Sequence, residues 1–534
     1  MAPVRRIAQA LLTRTLLMHQ ETELKFVGDE RALGALRQSE MFLDFAGYRN
    51  ATTVVRCATY YDTEDHALRE AGYVLRVRGE GNVHSQTLKR VGSGELVTRA
   101  EYKSEIDGIR PDLSSIPDSR ARWKVTHLLA GRSLEPIFEV DTRRTRVLLT
   151  PARNVEIEAA IDTGEIRLAR ESQRRIAISE VEFELVRGGM NDLLATARLL
   201  TRGLPLTLSF LSKPERGFRL AQDESLGAWK PGRIQLRSAQ TADDALASII
   251  GNCVRHLLNN LDAVAQGHSP EGVHQMRVAL RRLRVAVSLL SSRQRSPFTG
   301  LMNEVRDLAR ELGACRDKEV LLNQLTLPVA RQLGRDDAFE PLVLRLEQAR
   351  NASWQGAISW ISSERFRNLA LDLVSVMQQR PWLSNPNSHR DMEADAQGFA
   401  RAQVRRRLLQ SRKALRRAGK MKADDLHALR ISLKKLRYTL EFFDSLEARG
   451  SARLILRKIS RLQDVLGDMN DVLVAKPQLR TILAESRADD DATAVSLAGG
   501  MVLGWHGRRY ATKRRRVRRR LKSLAGMKML RKAR

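Results

Sequence analysis

From Glu21 to about Leu220 the chain is written mostly with a period of two. TELKFV (22–27), YVLRVRG (73–79), SQTLKRV (85–91), LVTRAEY (96–102), PIFEVDTRRTRVLL (136–149), VEIEAAID (155–162) and RIAISEVEFELV (175–186) alternate apolar with polar or charged positions. That alternation predicts seven strands, several joined by glycine-containing turns. DERALGALRQS (29–39) and NDLLATARLLTRG (191–203) carry helical spacing and predict short helices. The expectation is an antiparallel sheet with flanking helices. Residues 221–240, AQDESLGAWKPGRIQLRSAQ, interrupt both periods with Gly, Pro and Ser and read as a linker. Beyond it the period is helical to about residue 505. The expected organisation is a basic extension 1–18, a sheet domain 19–220, the linker, a helical domain 241–505 and a basic tail 506–534.

The helical half contains an internal duplication. VHQMRVALRRLRVAVSLL begins at Val273 and LHALRISLKKLRYTLEFF at Leu426, and the two align without a gap. In the first, an apolar stripe from Val273 to Leu290 runs beside His274, Arg277, Arg281 and Arg284; in the second, a stripe from Leu426 to Phe443 runs beside His427, Arg430, Lys434 and Arg437. LGACRDKEVL from Leu312 and LGDMNDVLVA from Leu466 follow at nearly equal distance, matching Arg316 and Asp317 to Asn470 and Asp471. The duplication predicts two helical bundles of similar build with approximate two-fold symmetry. Two such basic lines set face to face make a groove for an extended chain of phosphates: forked guanidinium donors match phosphate oxygens, and an imidazole adds a charge-assisted bond when protonated. The alternative is a solvated basic face, or arginines neutralised by Asp317 and Asp471, with structural histidines.

The strands share a second habit, a charged side. Alternation places Glu21, Glu23 and Lys25 together, and likewise Arg76 and Arg78; Lys89; Arg99, Glu101 and Lys103; Arg144 and Arg146; Glu156 and Glu158; and Glu180, Glu182 and Glu184. One such strand is ordinarily a solvated face. Seven, with both signs, point to faces turned inward in a barrel, where acids hold a divalent metal and bases hold phosphate oxygens.

Bulk properties narrow the classes. A chain of 534 residues calls for two or three domains, and 43% hydrophobic residues exclude wholesale disorder. Only 5% are aromatic, which argues against base stacking. Three cysteines without a CxxC pair exclude a disulfide framework or structural zinc site and suit a reducing, cytoplasmic compartment. No run of 18 apolar residues predicts a membrane span. The 92 Lys and Arg exceed the 62 Asp and Glu by 30, a field that attracts polyanions. Residues 508–534 hold 14 of those bases and no acid. This tail reads either as a non-specific polyanion contact or as a disordered or nascent-helical extension. Its removal is expected to weaken DNA binding more than polyphosphate binding. No zinc finger, recognition helix or aromatic platform supports sequence-specific nucleic-acid reading, and no protein partner is legible. The acid-free first 20 residues read as a flexible extension, or as the product of a start codon upstream of Met18, rather than as a secretory signal.

Residues 19–220 resemble the CYTH domain, the triphosphate tunnel metalloenzyme superfamily. The ExExK signature is Glu21, Glu23 and Lys25; the paired strand arginines are Arg76 and Arg78; the TLK lysine is Lys89; RxExE begins with Arg99 and Glu101; the later arginine is Arg144; the ALDxG element is Ala160, Ile161, Asp162 and Gly164; the last acidic strand carries Glu180, Glu182 and Glu184; and SKPERGF supplies Lys213 and Arg216. Residues 240–505 resemble the CHAD domain, the conserved histidine α-helical domain, through His274, His427 and the bases that follow them. The resemblance implies an α+β protein: an eight-stranded antiparallel tunnel barrel with flanking helices, then an all-α domain of two duplicated bundles. It implies a metal-dependent inorganic triphosphatase coupled to inorganic polyphosphate binding, in the cytoplasm and associated with polyphosphate granules. Glu21, Glu23 and Lys25 are the implied catalytic residues. Glu21, Glu23, Glu101, Glu182 and Glu184 would hold Mg2+ or Mn2+, and Arg76, Arg78, Lys89, Arg99, Arg144 and Lys213 the triphosphate. His274, Arg277, Arg281, Arg284, His427, Arg430, Lys434 and Arg437 would hold polyphosphate. Lys103 stands where RxExE has its second glutamate, which favours phosphate over metal and keeps a non-catalytic, polyphosphate-binding protein as the rival. Thiamine triphosphatase and adenylate cyclase, other chemistries of the family, rank lower because no base or thiazole pocket is legible.

Overall fold

The computed structural model describes residues 22–47, 51–80, 83–90, 101–223, 227–265, 269–446, 451–485 and 491–525. The chain forms two compact units, one from residues up to Gly227 together with Ser362–Leu371, the other from Ala228–Ile361 and from Asp372 onward.

The first unit is a sheet of nine strands: β1 (Glu23–Val27), β2 (Thr52–Asp62), β3 (Tyr73–Glu80), β4 (Val83–Arg90), β5 (Glu101–Ile106), β6 (Glu135–Ala152), β7 (Val155–Leu168), β8 (Arg175–Arg187) and β9 (Thr207–Leu208). Their order is β5-β4-β3-β2-β6-β7-β8-β1-β9, antiparallel throughout. This corrects the eight-stranded tunnel barrel. The α+β character and the helical second half hold, but the sheet has nine strands and is not closed: among the described residues β5 pairs only with β4, and β9 only with β1. Closure needs a continuous ladder between the two edges. β9 offers two residues, both paired to β1, and cannot supply one. β2 and β9 were not among the seven strands expected. Most of LVTRAEY lies outside the described residues, β5 beginning at Glu101.

Six helices accompany the sheet: α1 (Glu30–Gln38), α2 (Glu40–Ala46), α3 (Ala67–Glu70), α4 (Ser119–Leu129), α5 (Met190–Leu200) and α6 (Lys213–Ala221). α4 starts where Asp118 accepts a bond from the Ala121 N–H at 2.6 Å, an N-cap that satisfies one orphan donor. Its Ala121, Val125 and Leu129 pack with Leu75, Val77 and Leu88 on the apolar side of β3 and β4. Each such fully buried aliphatic side chain contributes about 1.5–3 kcal/mol.

The opposite side of the sheet carries the charge. Cross-strand pairs link Lys25 to Glu182 and Asp162 to Glu180, then Arg144 to Asp162, Val54 to Arg144, Ala58 to Arg78 and Val74 to Lys89. Directly opposed residues share a face, so these side chains all start from one side. An apolar plug occupies one end of it: Ala58, Tyr60, Val74, Phe138, Val140, Ile166 and Ile178 pack around Phe218 of α6. α6 lies so close that a Cβ at Gly217 would fall 2.3 Å from the Phe138 ring, so SKPERGF needs its glycine for contact. That docking sets Lys213 and Arg216 over the charged row.

The second unit is helical: α7 (Ala242–Leu258), α8 (Leu261–Ala265), α9 (Pro270–Val287), α10 (Ser292–Arg295), α11 (Thr299–Val320), α12 (Leu327–Leu333), α13 (Asp336–Ile361), α14 (Glu364–Gln379, shared with the first unit), α15 (Pro386–Met392), α16 (Ala396–Ala418), α17 (Ala423–Phe442), α18 (Ser451–Glu485) and α19 (Ala492–Ala525). The duplicated sequences are α9 and α17, and each packs on its downstream partner, α11 or α18. α9 and α17 also touch one another. Among the described residues no helix is long and apolar enough to cross a membrane.

Candidate functional site

On the charged side of the sheet, β7 and β8 bring Asp162, Glu180 and Glu182 together. One oxygen from each lies within 4.8 Å of the others, the only such acidic or metal-ligand group among the described residues. Asp162 and Glu180 are fully buried. Bare carboxylates at this spacing would repel, and cations prevent it. Lys213 Nζ is 2.7 Å from Asp162 Oδ2 and 3.1 Å from Glu182 Oε1, and also pairs with Glu180. Arg144 donates from Nε to Asp162 Oδ1 at 2.7 Å, and from Nη2 to Asp162 Oδ2 at 2.6 Å and Glu182 Oε2 at 2.5 Å. Arg216 pairs with Glu180. Lys25 Nζ, also buried, donates to the Leu211 carbonyl at 2.6 Å.

Titration follows from these contacts. Burial pushes the Glu180 and Glu182 carboxyls up, but Lys213 and the other cations outweigh it and hold both below the ordinary range, Glu182 well below. Lys213 is also penalised by burial, yet Glu180, Glu182 and Asp162 raise it above an ordinary lysine. Lys25 goes the other way: burial lowers it, and Glu180 and Glu182 offset only part of the shift. Glu180 and Glu182 are thus held as carboxylates, and the triad is neutralised by Lys213, Arg144 and Arg216.

Across β6 and β2 the same face carries the arginines of β2 and β3, with Glu105 of β5 opposite Ser85 on β4. Arg76 and Arg78 on β3 have no carboxylate partner among the described residues, and the Arg76 Nε is buried without a hydrogen bond. Burial, then Arg76 and Arg56, push the Arg78 guanidinium down to about 9. Arg144 stands between the two zones, bonded to the acids and adding its charge to those that act on Arg78.

Of the residues singled out in the sequence, Lys25, Arg144, Glu182 and Lys213 meet in one cluster. Arg76 and Arg78 flank it. Glu23, Glu184 and Lys89 share the same face and are each engaged by a neighbour. Glu101 pairs with Lys89 through the backbone. Glu21, Arg99 and the Glu101 side chain lie outside the described residues. Four participants were missing from the expected metal and phosphate sets, one of them Arg216, which SKPERGF supplies and which pairs with Glu180. Asp162 and Glu180 sat within quoted motifs, and their signal was alternation in register with Glu182. Arg56 rides on β2, a strand that the alternation did not reveal.

In the helical unit the duplication recurs in the contacts. His427 Nδ1 lies 3.2 Å from Asn470 Oδ1, while His274, half-buried and lowered by burial, feels Arg316, the matching position. Arg277 donates to the Leu312 and Gly313 carbonyls at 3.1 and 2.6 Å and lies 3.6 Å from Asp317; Arg430 is likewise coupled to Asp471. The copies meet at these bases. Burial, then Arg281 and Arg430, lower Lys434 to about 7, and burial lifts Asp317 and Asp471 above ordinary aspartates. Arg277, Arg281, Arg430 and Lys434 therefore form one interacting group. Arg284 is exposed, and Arg437 is occupied by Glu441 at 2.7 Å.

Two family models match the chain: the CYTH domain over residues 19–218 and the CHAD domain over residues 248–480. An uncharacterized protein of Mycobacterium tuberculosis strain H37Rv is 26% identical over 463 residues, spanning 82% of this chain and 84% of that protein. An inorganic triphosphatase of Haemophilus influenzae is 34% identical over 174 residues, 32% of this chain and 47% of that protein. Among solved structures, the CHAD domain from the plant Ricinus communis is 30% identical, with a TM-score of 0.48, and covers 55% of this chain and 96% of its own.

Proposed function

The chain is a CYTH-domain and CHAD-domain protein, and on that premise we propose that its sheet domain hydrolyses inorganic triphosphate with a divalent cation while its helical domain binds inorganic polyphosphate. One observation carries the reading: a single sheet face changes character, from Arg76 and Arg78, which have no carboxylate partner among the described residues, to the triad of Asp162, Glu180 and Glu182, with Arg144 at the boundary. A triphosphate needs both. Basic groups orient and neutralise its oxygens, and carboxylates hold the ion that such chemistry uses.

The donor set fits Mg2+ or Mn2+, since all three ligands are hard carboxylate oxygens within reach of one another. Asp162, Glu180 and Glu182 would hold the ion, with Glu23 and Glu184 extending the acidic row on the same face. When bound, the ion supplies charge neutralisation at phosphate oxygens and a lowered pKa for a water nucleophile. Lys213 competes for the same carboxylates. Phosphate oxygens that draw Lys213 and Arg144 toward themselves release those carboxylates, so anion and cation favour each other's entry. Arg76, Arg78 and Lys89 bind the remaining charge, and Lys25 stays close to Glu182, its cross-strand partner.

A second reading, phosphate binding without turnover, is favoured by Lys103 and by the complete ion pairing of the triad. Phosphate release from tripolyphosphate with Mg2+ or Mn2+ separates the two. Glu182→Gln and Asp162→Asn are expected to lower kcat by about 10²–10³. Equal rates in wild type and variants would end the catalytic reading; tight binding of tripolyphosphate by a wild type that never turns over would establish the second. Thiamine triphosphate, ATP and long polyphosphate in the same assay define the substrate.

A further inference from the structure

The basic C-terminal run is a packed helix through Ala525 rather than a free tail. Val517, Leu521 and Leu524 recur at i, i+4 and i+7 and are buried. Polar contacts fix the rotation of the helix. Lys513 Nζ lies 2.9 Å from Asp468 Oδ2, Arg514 donates to the Met421 carbonyl at 3.2 Å, Lys458 Nζ to Ser523 Oγ at 3.3 Å, and Arg520 to the Arg461 carbonyl. Four of the remaining bases are thereby gathered in one place. Arg515, Arg518, Arg519 and Lys522 line a cavity of about 650 Å3 whose wall contains no acid. All four are exposed, and none pairs with a carboxylate among the described residues. Tyr510, at the end of this cavity, also lines a smaller cleft with His427, Arg430 and Asn470, so the two share a wall at the histidine end of α17.

We infer that this cavity is a second binding site for linear inorganic polyphosphate, extending the His427 end of the basic groove onto α19. It lies beyond residues 248–480, where the family model ends, and takes its ligand class in part from the polyphosphate half of the proposed function. Arg515, Arg518, Arg519 and Lys522 stand at i, i+3, i+4 and i+7, so they follow one helix face for about 10 Å. A repeating row of cations suits a repeating anion. Guanidinium forks fit phosphate oxygens, whereas a nucleic acid would be met by a single tyrosine and no amide side chain to stack on or read its bases. Four uncompensated cations repel one another in the empty site, and a bound polyanion relieves that repulsion.

The test uses the full chain carrying Arg515→Gln, Arg518→Gln and Arg519→Gln together, with an unchanged melting temperature as the check on folding. Affinity for long-chain polyphosphate and for single-stranded DNA is measured over a range of salt. Loss of three phosphate contacts should flatten the slope of log K against log salt by about 2, and weaken polyphosphate at least about tenfold at 0.15 M salt. An unchanged slope and affinity would overturn the site. Loss of DNA affinity with polyphosphate retained would make it a nucleic-acid surface instead. A wild type that binds no polyphosphate would instead sink the polyphosphate half of the proposed function. Tripolyphosphate turnover, followed in parallel, reports on the sheet domain alone.

Discussion

Replacing Lys213 with methionine isolates the cation that holds the acidic triad together. Its ammonium touches all three carboxylates, at 2.7 Å for Asp162 and 3.1 Å for Glu182, with Glu180 also in contact. At an effective dielectric of about 20, one such pair near 3 Å is worth about 5–6 kcal/mol before desolvation. The substitution also removes the lysine's own burial cost, and Arg144 and Arg216 still hold part of the triad. The net loss should fall at the lower end of the range for breaking a buried ion pair, about 3 kcal/mol. For a unit of this size that lowers Tm by about 6–12 °C. The dependence on pH is the sharper signature. In the wild type, Glu180 and Glu182 lie below the ordinary value of 4.5, so their stabilisation is present above that value and lost as pH falls through their depressed pKa values. Lys213 is raised above 10.5, so its own contribution is present below that value and lost only as pH rises beyond it. Without Lys213, burial is opposed only by Arg144, Arg216 and Lys25, and the carboxyls move upward. The variant should therefore lose most at pH 8 and recover toward pH 5, as the triad takes up a proton. Thermal unfolding followed by circular dichroism at pH 5, 6.5 and 8 measures this. A Tm change of about 2 °C or less, or one that does not vary with pH, would refute the reasoning, since either result would mean that the buried acids do not depend on the lysine.

Two further outcomes follow from bases that burial and neighbouring cations disfavour. Arg78, held down to about 9 by burial and by Arg76 and Arg56, is strained in the empty protein; Arg78→Gln should raise Tm by a few degrees while raising KM for tripolyphosphate about tenfold or more, and steady-state kinetics beside a melting curve checks both. Lys434, lowered to about 7 with Arg281, Arg430, Asp471 and Arg277 around it, should regain its proton when polyphosphate binds. Affinity is therefore expected to fall by up to about tenfold per pH unit above 7. Lys434→Arg should flatten that profile, since a guanidinium stays charged. An equal slope in both proteins, measured by polyphosphate titration at pH 6, 7 and 8, would assign the dependence elsewhere.

What the chain disclosed in advance was which side of each strand bears charge, because alternation is local. What it withheld was which strands are neighbours. Lys25 and Glu182 are directly opposed but separated by more than 150 residues, and only the ladder between β1 and β8 makes them partners. The same register explains why Asp162 and Glu180 join Glu182: they sit opposite one another across β7 and β8. β2 escaped notice because TTVVRCATYYD strings β-branched and aromatic residues together instead of alternating them; its Thr, Val and Tyr content was the available sign. The barrel failed for a related reason. Strand content is legible, but closure depends on edge ladders, and a two-residue β9 leaves no pattern to find. The helical half was easier to read because duplication supplies its own check. The position matched in the two copies, Arg316 or Asn470, meets the histidine in each. The basic run at 508–534 was legible as charge but not as structure, since its buried stripe of Val517, Leu521 and Leu524 hides among arginines.

The two units treat buried positive charge in opposite ways, and the contrast bears on what each can do with a phosphate chain. In the sheet domain Lys213, Arg144 and Arg216 are matched by Asp162, Glu180 and Glu182, so the empty site is internally neutral and stable. A phosphate entering there must displace carboxylates from those cations, which lowers net affinity while leaving the freed oxygens for a metal. Such a site lets go of its ligand when the ion pairs re-form, as turnover requires. In the helical domain Arg277, Arg281, Arg430 and Lys434 outnumber Asp317 and Asp471, and burial with the charges of Arg281 and Arg430 brings Lys434 down to about 7. There a polyanion removes a repulsion rather than replacing an attraction, so binding is reinforced and release is slow. Under the proposed function, retention in the helical domain and exchange in the sheet domain would distinguish a holder of long chains from a hydrolase of short ones. The difference lies in where the carboxylates are placed, not in how many arginines the chain contains.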